Sequence, residues 1–166
     1  MSSDNRKKVN SWLVEISSAI GKNIGLNDDG ISAFKYEELI FFIEVPDSSE
    51  QFFLYSFLMG LPAEHEKTIM RKVLNINYLQ QETRGGCLSL DPVTNEIVFS
   101  YGDRIDEING TEFRNVLENY IDTTLKVYGQ LMDITKEKST EIAPAGSNAA
   151  GVEIDPMKLR MMGMQV

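Results

Sequence analysis

The chain has 166 residues, 42% hydrophobic and 25% charged, the composition of one globular domain of about 100 to 150 residues with an appendage. Its 16 basic and 25 acidic residues leave a formal net charge of −9, which repels phosphate backbones and excludes nucleic acid as a partner. The single cysteine, Cys87, and the single histidine, His65, exclude an internal disulfide and a His/Cys zinc cluster, in keeping with a reducing compartment.

At the N-terminus Arg6, Lys7 and Lys8 lead into a mixed polar and apolar stretch, which is not the pattern of a secretory signal. No run reaches the roughly 20 apolar residues that cross a bilayer, so no membrane insertion is expected. Val9, Trp12, Leu13, Ile16 and Ile20 fall on one stripe and predict an amphipathic helix that stops at Gly21. From Gly30 the pattern changes to aromatic and branched runs, Ile31 to Tyr36, Leu39 to Val45 and Phe52 to Met59, separated by Glu37-Glu38 and by Pro46 to Glu50. These predict a three-stranded antiparallel meander.

Pro62 opens a second helix with Ile69, Met70, Val73 and Leu74 on one face, expected to run to Gly85-Gly86. Cys87 to Leu90 and Glu96 to Tyr101, joined by Asp91 to Asn95, read as a β-hairpin. Phe113, Val116, Leu117, Tyr120, Ile121, Thr124, Tyr128 and Leu131 then keep helical spacing through five turns, behind Asn109 and Glu112 placed as a capping box. Residues 1–135 form the expected α+β domain. Residues 136–166 are expected to be a flexible tail, because Ser139 to Gly151 holds too few large apolar groups to offset the entropy of ordering. The tail ends in Ile154 to Val166, which holds four of the eight methionines and reads either as a frayed terminus or as a short partner-binding motif.

Candidate chemistry is sparse. Gly25 to Tyr36 has the Asp-Gly centre of a calcium loop, but Gly25 and Tyr36 stand where its first and twelfth ligands need carboxylates, so a turn is expected. His65, between Glu64 and Glu66, is expected to be an exposed polar residue and not a general base, and Cys87 a small packed residue and not a reactive thiolate. No phosphate loop, nucleophile elbow or paired metal motif occurs, so neither enzymatic activity nor a cofactor is expected. Asn109-Gly110-Thr111 fits the glycosylation pattern and is read as a helix cap. Gly102 to Gly110 resembles the strand-and-turn segment of PDZ peptide readers, but Met59 to Pro62, the nearest candidate for their carboxylate loop, leads into a helix where that fold needs a strand.

The whole order, on an acidic chain of this size, resembles the class I type III secretion chaperones, the Tir chaperone family of Gram-negative bacteria, over about residues 4 to 135. The resemblance is carried by Trp12 to Ile20 followed by Ile24 to Ile31, by the strand pair Ile31 to Val45, by helix two with Asn75 to Leu79 before Gly85-Gly86, and by Phe99 to Tyr128. It implies a cytoplasmic bacterial homodimer that holds the N-terminal segment of a secreted effector extended and unfolded and delivers it to an export ATPase. It further implies a two-fold interface on helix two and the next strand, here Ile69, Met70, Val73, Leu74, Leu88 and Leu90. The implied cargo groove lies on helix one and the first strands, here Trp12, Leu13, Ile16, Phe34 and Phe42. Phe41, Phe42, Phe52, Phe53, Tyr55 and Phe57 fit this picture, since neighbouring strand residues face opposite sides and both faces of the sheet then need cover. A PDZ-like peptide reader and a small dimeric scaffold without unfolded clients are the alternatives.

Overall fold

The period-2 runs form strands and the period-3.6 stripes form helices, in the expected order. The computed structural model describes residues 2–20, 23–47 and 49–137. The elements are α1 (Ser2–Ile20), β1 (Ile31–Tyr36), β2 (Leu39–Glu44), β3 (Gln51–Gly60), α2 (Glu66–Asn77), β4 (Cys87–Leu90), β5 (Glu96–Arg104) and α3 (Gly110–Glu137). The helix stop expected at Gly21 and the methionine-rich tail lie outside the described residues. One antiparallel sheet has the order β1-β2-β3-β5-β4, so the hairpin joins the meander through β5 and leaves β1 and β4 as its two edges.

One face of the sheet is the core. Phe41, Ile43, Phe52, Leu54, Ile97 and Phe99 point into it and are fully buried. α3 lies across this face. Its Phe113 meets Phe52 edge-on at 5.1 Å, and its Tyr120 stacks on Phe99 at 5.3 Å. The Tyr120 hydroxyl donates to the Phe99 carbonyl at 2.8 Å and lies 3.2 Å from Ser56 Oγ. α1 packs beside α3 through Trp12, whose ring lies 5.2 Å from that of Phe113. α2 contributes Ile69, Val73 and Ile76 to the same core.

The capping box forms as expected. Asn109 Oδ1 accepts the Thr111 and Glu112 N–H groups, and Glu112 Oε2 accepts the Asn109 N–H. The Gly25 to Tyr36 segment closes as a turn, with Asn27 Oδ1 accepting from the Asp29 and Ile31 N–H groups. Arg6 fastens this turn to α1 by donating to the carbonyls of Asp28, Asp29 and Val45, and its guanidinium pairs with Asp47.

Three expectations need correction. The second helix does not run to Gly85: it ends at Asn77, because the Asn77 side chain turns back to the sheet, where Oδ1 accepts the Leu88 N–H and Nδ2 donates to the Leu88 carbonyl, both at 2.9 Å. Leu79, Gln80 and Arg84 then take positive φ, and Gly86 lies so close to the Phe99 ring that a Cβ there would collide with it. His65 is not exposed but buried at the start of α2, with Nδ1 lacking a hydrogen-bond partner. Cys87 is not packed but exposed, because it pairs with Ser100 and points to the face of the sheet opposite the core, whereas Leu88 beside it points inward and is buried.

Candidate functional site

The second face of the sheet carries more apolar surface than a solvated face needs. β2 and β3 alternate between buried and half-buried positions, and the half-buried set holds Ile40, Phe42, Phe53, Tyr55 and Phe57. The register brings Phe42 opposite Tyr55, with Ala33 of β1 on one side and Ser100 of β5 on the other. Phe42 and Tyr55 stack at 5.0 Å, and Phe57 sits edge-on to both at 6.1 and 6.2 Å. These rings shield each other only in part. The Tyr55 hydroxyl is pushed well above its ordinary pKa, first by burial and then by the Glu44 carboxylate, so it stays a neutral donor at any ordinary pH.

Beside this face runs the free edge of β1. A six-residue edge strand without proline presents unpaired backbone groups, and Lys35 is its only charged side chain. Of the residues expected in a cargo groove, Phe42 belongs to the open face. Phe34 lies on the core side of β1, half-buried and stacked on Phe41 at 5.6 Å, and Ile16 is partly buried on α1. Trp12 and Leu13 are placed in the core, at 7% and 0% exposure, with the Lys8 amine 5.1 Å over the Trp12 ring. The apolar character of these five residues was legible, but their division between core and surface depends on where α3 lies.

The residues expected at a two-fold interface divide likewise. Ile69, Val73 and Leu88 are core, Met70 and Leu90 are partly buried against it, and Leu74 is 66% exposed. Leu74 is joined by two residues the sequence reading had not assigned to a surface, Tyr78 at 73% and Leu79 at 67% exposure. They lie on the side of α2 and on the turn after it, next to edge strand β4. Sequence spacing could have found Tyr78, which stands four residues after Leu74 on the same helical row.

A polar cleft of about 400 Å³ opens between Thr83, Arg84, Tyr101, Asn119 and Thr123, where the Arg84 guanidinium donates to Asn119 Oδ1 at 2.6 Å. Among the described residues no group of His, Cys, Asp and Glu is arranged to hold a metal, and no helix is long and apolar enough to cross a membrane. What the surface offers is therefore an apolar sheet face, two free strand edges and an apolar ridge on α2. That arrangement can pair with backbone and cover side chains.

The Tir chaperone protein (CesT) family matches residues 12–127. No curated protein sequence matches the chain. Among solved structures it is similar to a chain of the ExsC–ExsE complex, with 18% identity and a TM-score of 0.60 over 72% of this chain and 90% of that one. It is similar to a chain of the HopA1–SchA chaperone–effector complex, with 12% identity and a TM-score of 0.60 over 76% and 97% of the two. A third likeness is to the heterodimeric ExoU–SpcU complex from the type III secretion system of Pseudomonas aeruginosa, with 13% identity and a TM-score of 0.58 over 76% and 96%. At these identities the likeness is one of fold.

Proposed function

The chain belongs to the Tir chaperone protein (CesT) family, and from that membership we propose that it is a type III secretion chaperone for the N-terminal segment of one or more secreted effectors. The observation that supports this most directly is the open sheet face with Phe42, Tyr55 and Phe57 half-buried beside the unpaired edge of β1. An extended segment laid there gains main-chain hydrogen bonds from the edge and covers apolar area with every second side chain. Burial at about 25 cal/mol per Å² offsets the entropy of holding the segment extended.

Phe42 is the proposed contact on the open face, and Phe34 and Ile16 are the proposed contacts on the helix side of the β1 edge, where Trp12 and Leu13 hold α1 from the core. The chaperone is a cytoplasmic homodimer whose two-fold contact uses Leu74 and Met70 of α2 with Leu90 at the β4 edge, while Ile69, Val73 and Leu88 support that surface from the core. It carries no catalytic machinery of its own and presents its cargo to an export ATPase. The PDZ reading loses its ground, since Gly60-Leu61-Pro62 leads into α2.

Light scattering on the protein alone, and on the protein co-expressed with the N-terminal region of each secreted protein encoded beside it, tests the reading. The expected result is a dimer that takes up one segment. Leu74→Lys with Tyr78→Lys is expected to lower the mass toward the monomer and leave the circular dichroism spectrum unchanged. A dimer that takes up no segment would support the scaffold reading instead, and a monomer that ignores every segment would overturn both.

A further inference from the structure

The polar cleft between α3 and the turn that joins α2 to β4 lies on the helix side of the sheet, away from the open face. We propose that this cleft is a binding site for a singly charged carboxylate on a small apolar body, with the Arg84 guanidinium at its rim and the Thr83 hydroxyl in its wall. The site goes beyond the chaperone reading and does not depend on it.

Two bonds strap the turn lengthwise along α3. Glu82 accepts from Gln130 Nε2 at 3.3 Å and the Arg84 guanidinium donates to Asn119 Oδ1 at 2.6 Å, on helix residues about 16 Å apart. Thr83, held between them, is 2% exposed, and its hydroxyl has no hydrogen-bond partner among the described residues. A buried hydroxyl without a partner is costly, and Thr83 lines a space of about 400 Å³, the size of a small-molecule pocket. Arg84 takes a φ of 50°, in the left-handed region where glycine or asparagine is at home and arginine is uncommon. The surrounding structure holds that strain, and it keeps the guanidinium at the rim.

The polar groups left unused here are donors. Arg84 has five N–H groups and gives one to Asn119, Asn119 Nδ2 has no partner among the described residues, and Thr83 adds an O–H. Among the described residues Arg84 forms no ion pair. The neighbouring acids are engaged elsewhere: Glu82 with Gln130, and Asp103 with the Tyr101 hydroxyl and the Arg104 N–H. A guanidinium fork matches a planar carboxylate through two parallel bonds. One cation balances one negative charge, whereas a phosphate dianion would leave a charge uncompensated in a chain of net charge −9. Val116 and the ring of Tyr101, both half-buried, supply an apolar wall for the body of the ligand.

Titration of the isotope-labelled full chain, followed through amide and arginine Nε–H NMR signals, decides the matter. Two probes separate the sources of such a carboxylate: benzoate stands for a free organic acid, and N-acetyl-glutamate methylamide for an acidic side chain of a bound protein segment. One of them is expected to shift the signals of Thr83 to Gly86 and Asn119 saturably, with a dissociation constant of about 0.1 to 1 mM, and the tighter of the two identifies the source. Inorganic phosphate is expected to bind at least about tenfold more weakly. Arg84→Gly relieves the left-handed strain, so the variant should fold at least as well and bind the carboxylate at least about tenfold more weakly. Thr83→Val keeps the side-chain shape and removes the orphaned hydroxyl; it should weaken binding about three- to tenfold without lowering the melting temperature. Silence of both probes at about twenty times that dissociation constant, phosphate binding as tight as the carboxylates, or undiminished binding by either variant would overturn the proposal. No effector enters this assay, so its failure leaves the chaperone reading standing.

Discussion

Replacing Tyr120 by Phe removes one oxygen from the point where α3 is fastened to the sheet. The hydroxyl donates to the Phe99 carbonyl at 2.8 Å and lies 3.2 Å from Ser56 Oγ, and both Tyr120 and Ser56 are buried. Phenylalanine keeps the ring stacked on Phe99 at 5.3 Å and edge-on to Phe41 at 6.1 Å, so the packing contribution is preserved. What disappears is one neutral hydrogen bond, worth about 1 kcal/mol net, together with the partner of a fully buried serine, whose desolvation costs about 1 to 3 kcal/mol. Tyr120→Phe is therefore expected to destabilise the fold by about 2 kcal/mol.

Ser56→Ala leaves the hydroxyl bonded to Phe99 and is expected to cost less, about 1 kcal/mol. The double variant removes both partners and orphans neither, so its cost falls short of the sum of the single costs by about 0.5 to 1.5 kcal/mol. Urea unfolding followed by Trp12 fluorescence and by circular dichroism measures all three, with an unchanged m-value showing that only stability has moved. A Tyr120→Phe cost below about 0.5 kcal/mol, or strict additivity of the two substitutions, would refute the claim that this buried node anchors the helix.

Asn77→Ala breaks both bonds to Leu88, and about 1 to 3 kcal/mol should be lost, with faster amide exchange confined to β4; Asn77→Asp keeps the acceptor and should fall between. Burial, and then the Asp103 carboxylate that accepts from it, push the Tyr101 hydroxyl up to about 12. The unfolded chain releases that proton first, near pH 10, so this contribution to stability is complete below pH 10 and is lost as the pH rises toward 12, and Tyr101→Phe should flatten the decline in a series of denaturant midpoints. Phe41 and Phe42 are neighbours on β2 with opposite orientation: Phe41→Ala, in the core, should cost about 3 to 5 kcal/mol, whereas Phe42→Ala should cost less than about 2 and mainly weaken capture of an effector segment in a co-purification assay.

The local signals were legible because their causes are local. The alternation from Phe52 to Met59 is the two-sided pleat of β3 itself, and Asn109 with Glu112 forms a cap out of residues three apart. The end of α2 was not legible. Polar residues from Gln80 to Arg84 carry no stop signal before Gly85, and the bond that ends the helix joins Asn77 to a residue eleven positions away on another strand. Cys87 and His65 were misplaced for the same reason. Exposure of Cys87 follows from the side of β4 that faces away from the core, and burial of His65 follows from packing at the start of α2; neither is written in the neighbouring residues. At the candidate site the sequence marked Trp12, Leu13, Ile16, Phe34 and Phe42 as apolar and left open which of them the protomer uses for its own core.

The run Leu39-Ile40-Phe41-Phe42-Ile43 joins these strands of evidence. An antiparallel strand with one wet face alternates apolar with polar, whereas a continuous apolar run belongs to a strand covered on both sides. The helices cover only the side of Leu39, Phe41 and Ile43 and leave the side of Ile40 and Phe42 half-buried, which is the side proposed to receive an effector segment. While uncovered it is protected in two ways: Phe42, Tyr55 and Phe57 bury part of one another, and a net charge of −9 disfavours the approach of further copies. When it is covered, a strand edge reads backbone and an aromatic face reads apolar side chains at every second position, and neither reads identity. A receptor whose strands are already formed has little left to order on binding, and the ordering cost falls on the client. Affinity should then follow the periodicity of a segment more closely than its sequence, which is the selectivity that a chaperone of unfolded export signals requires.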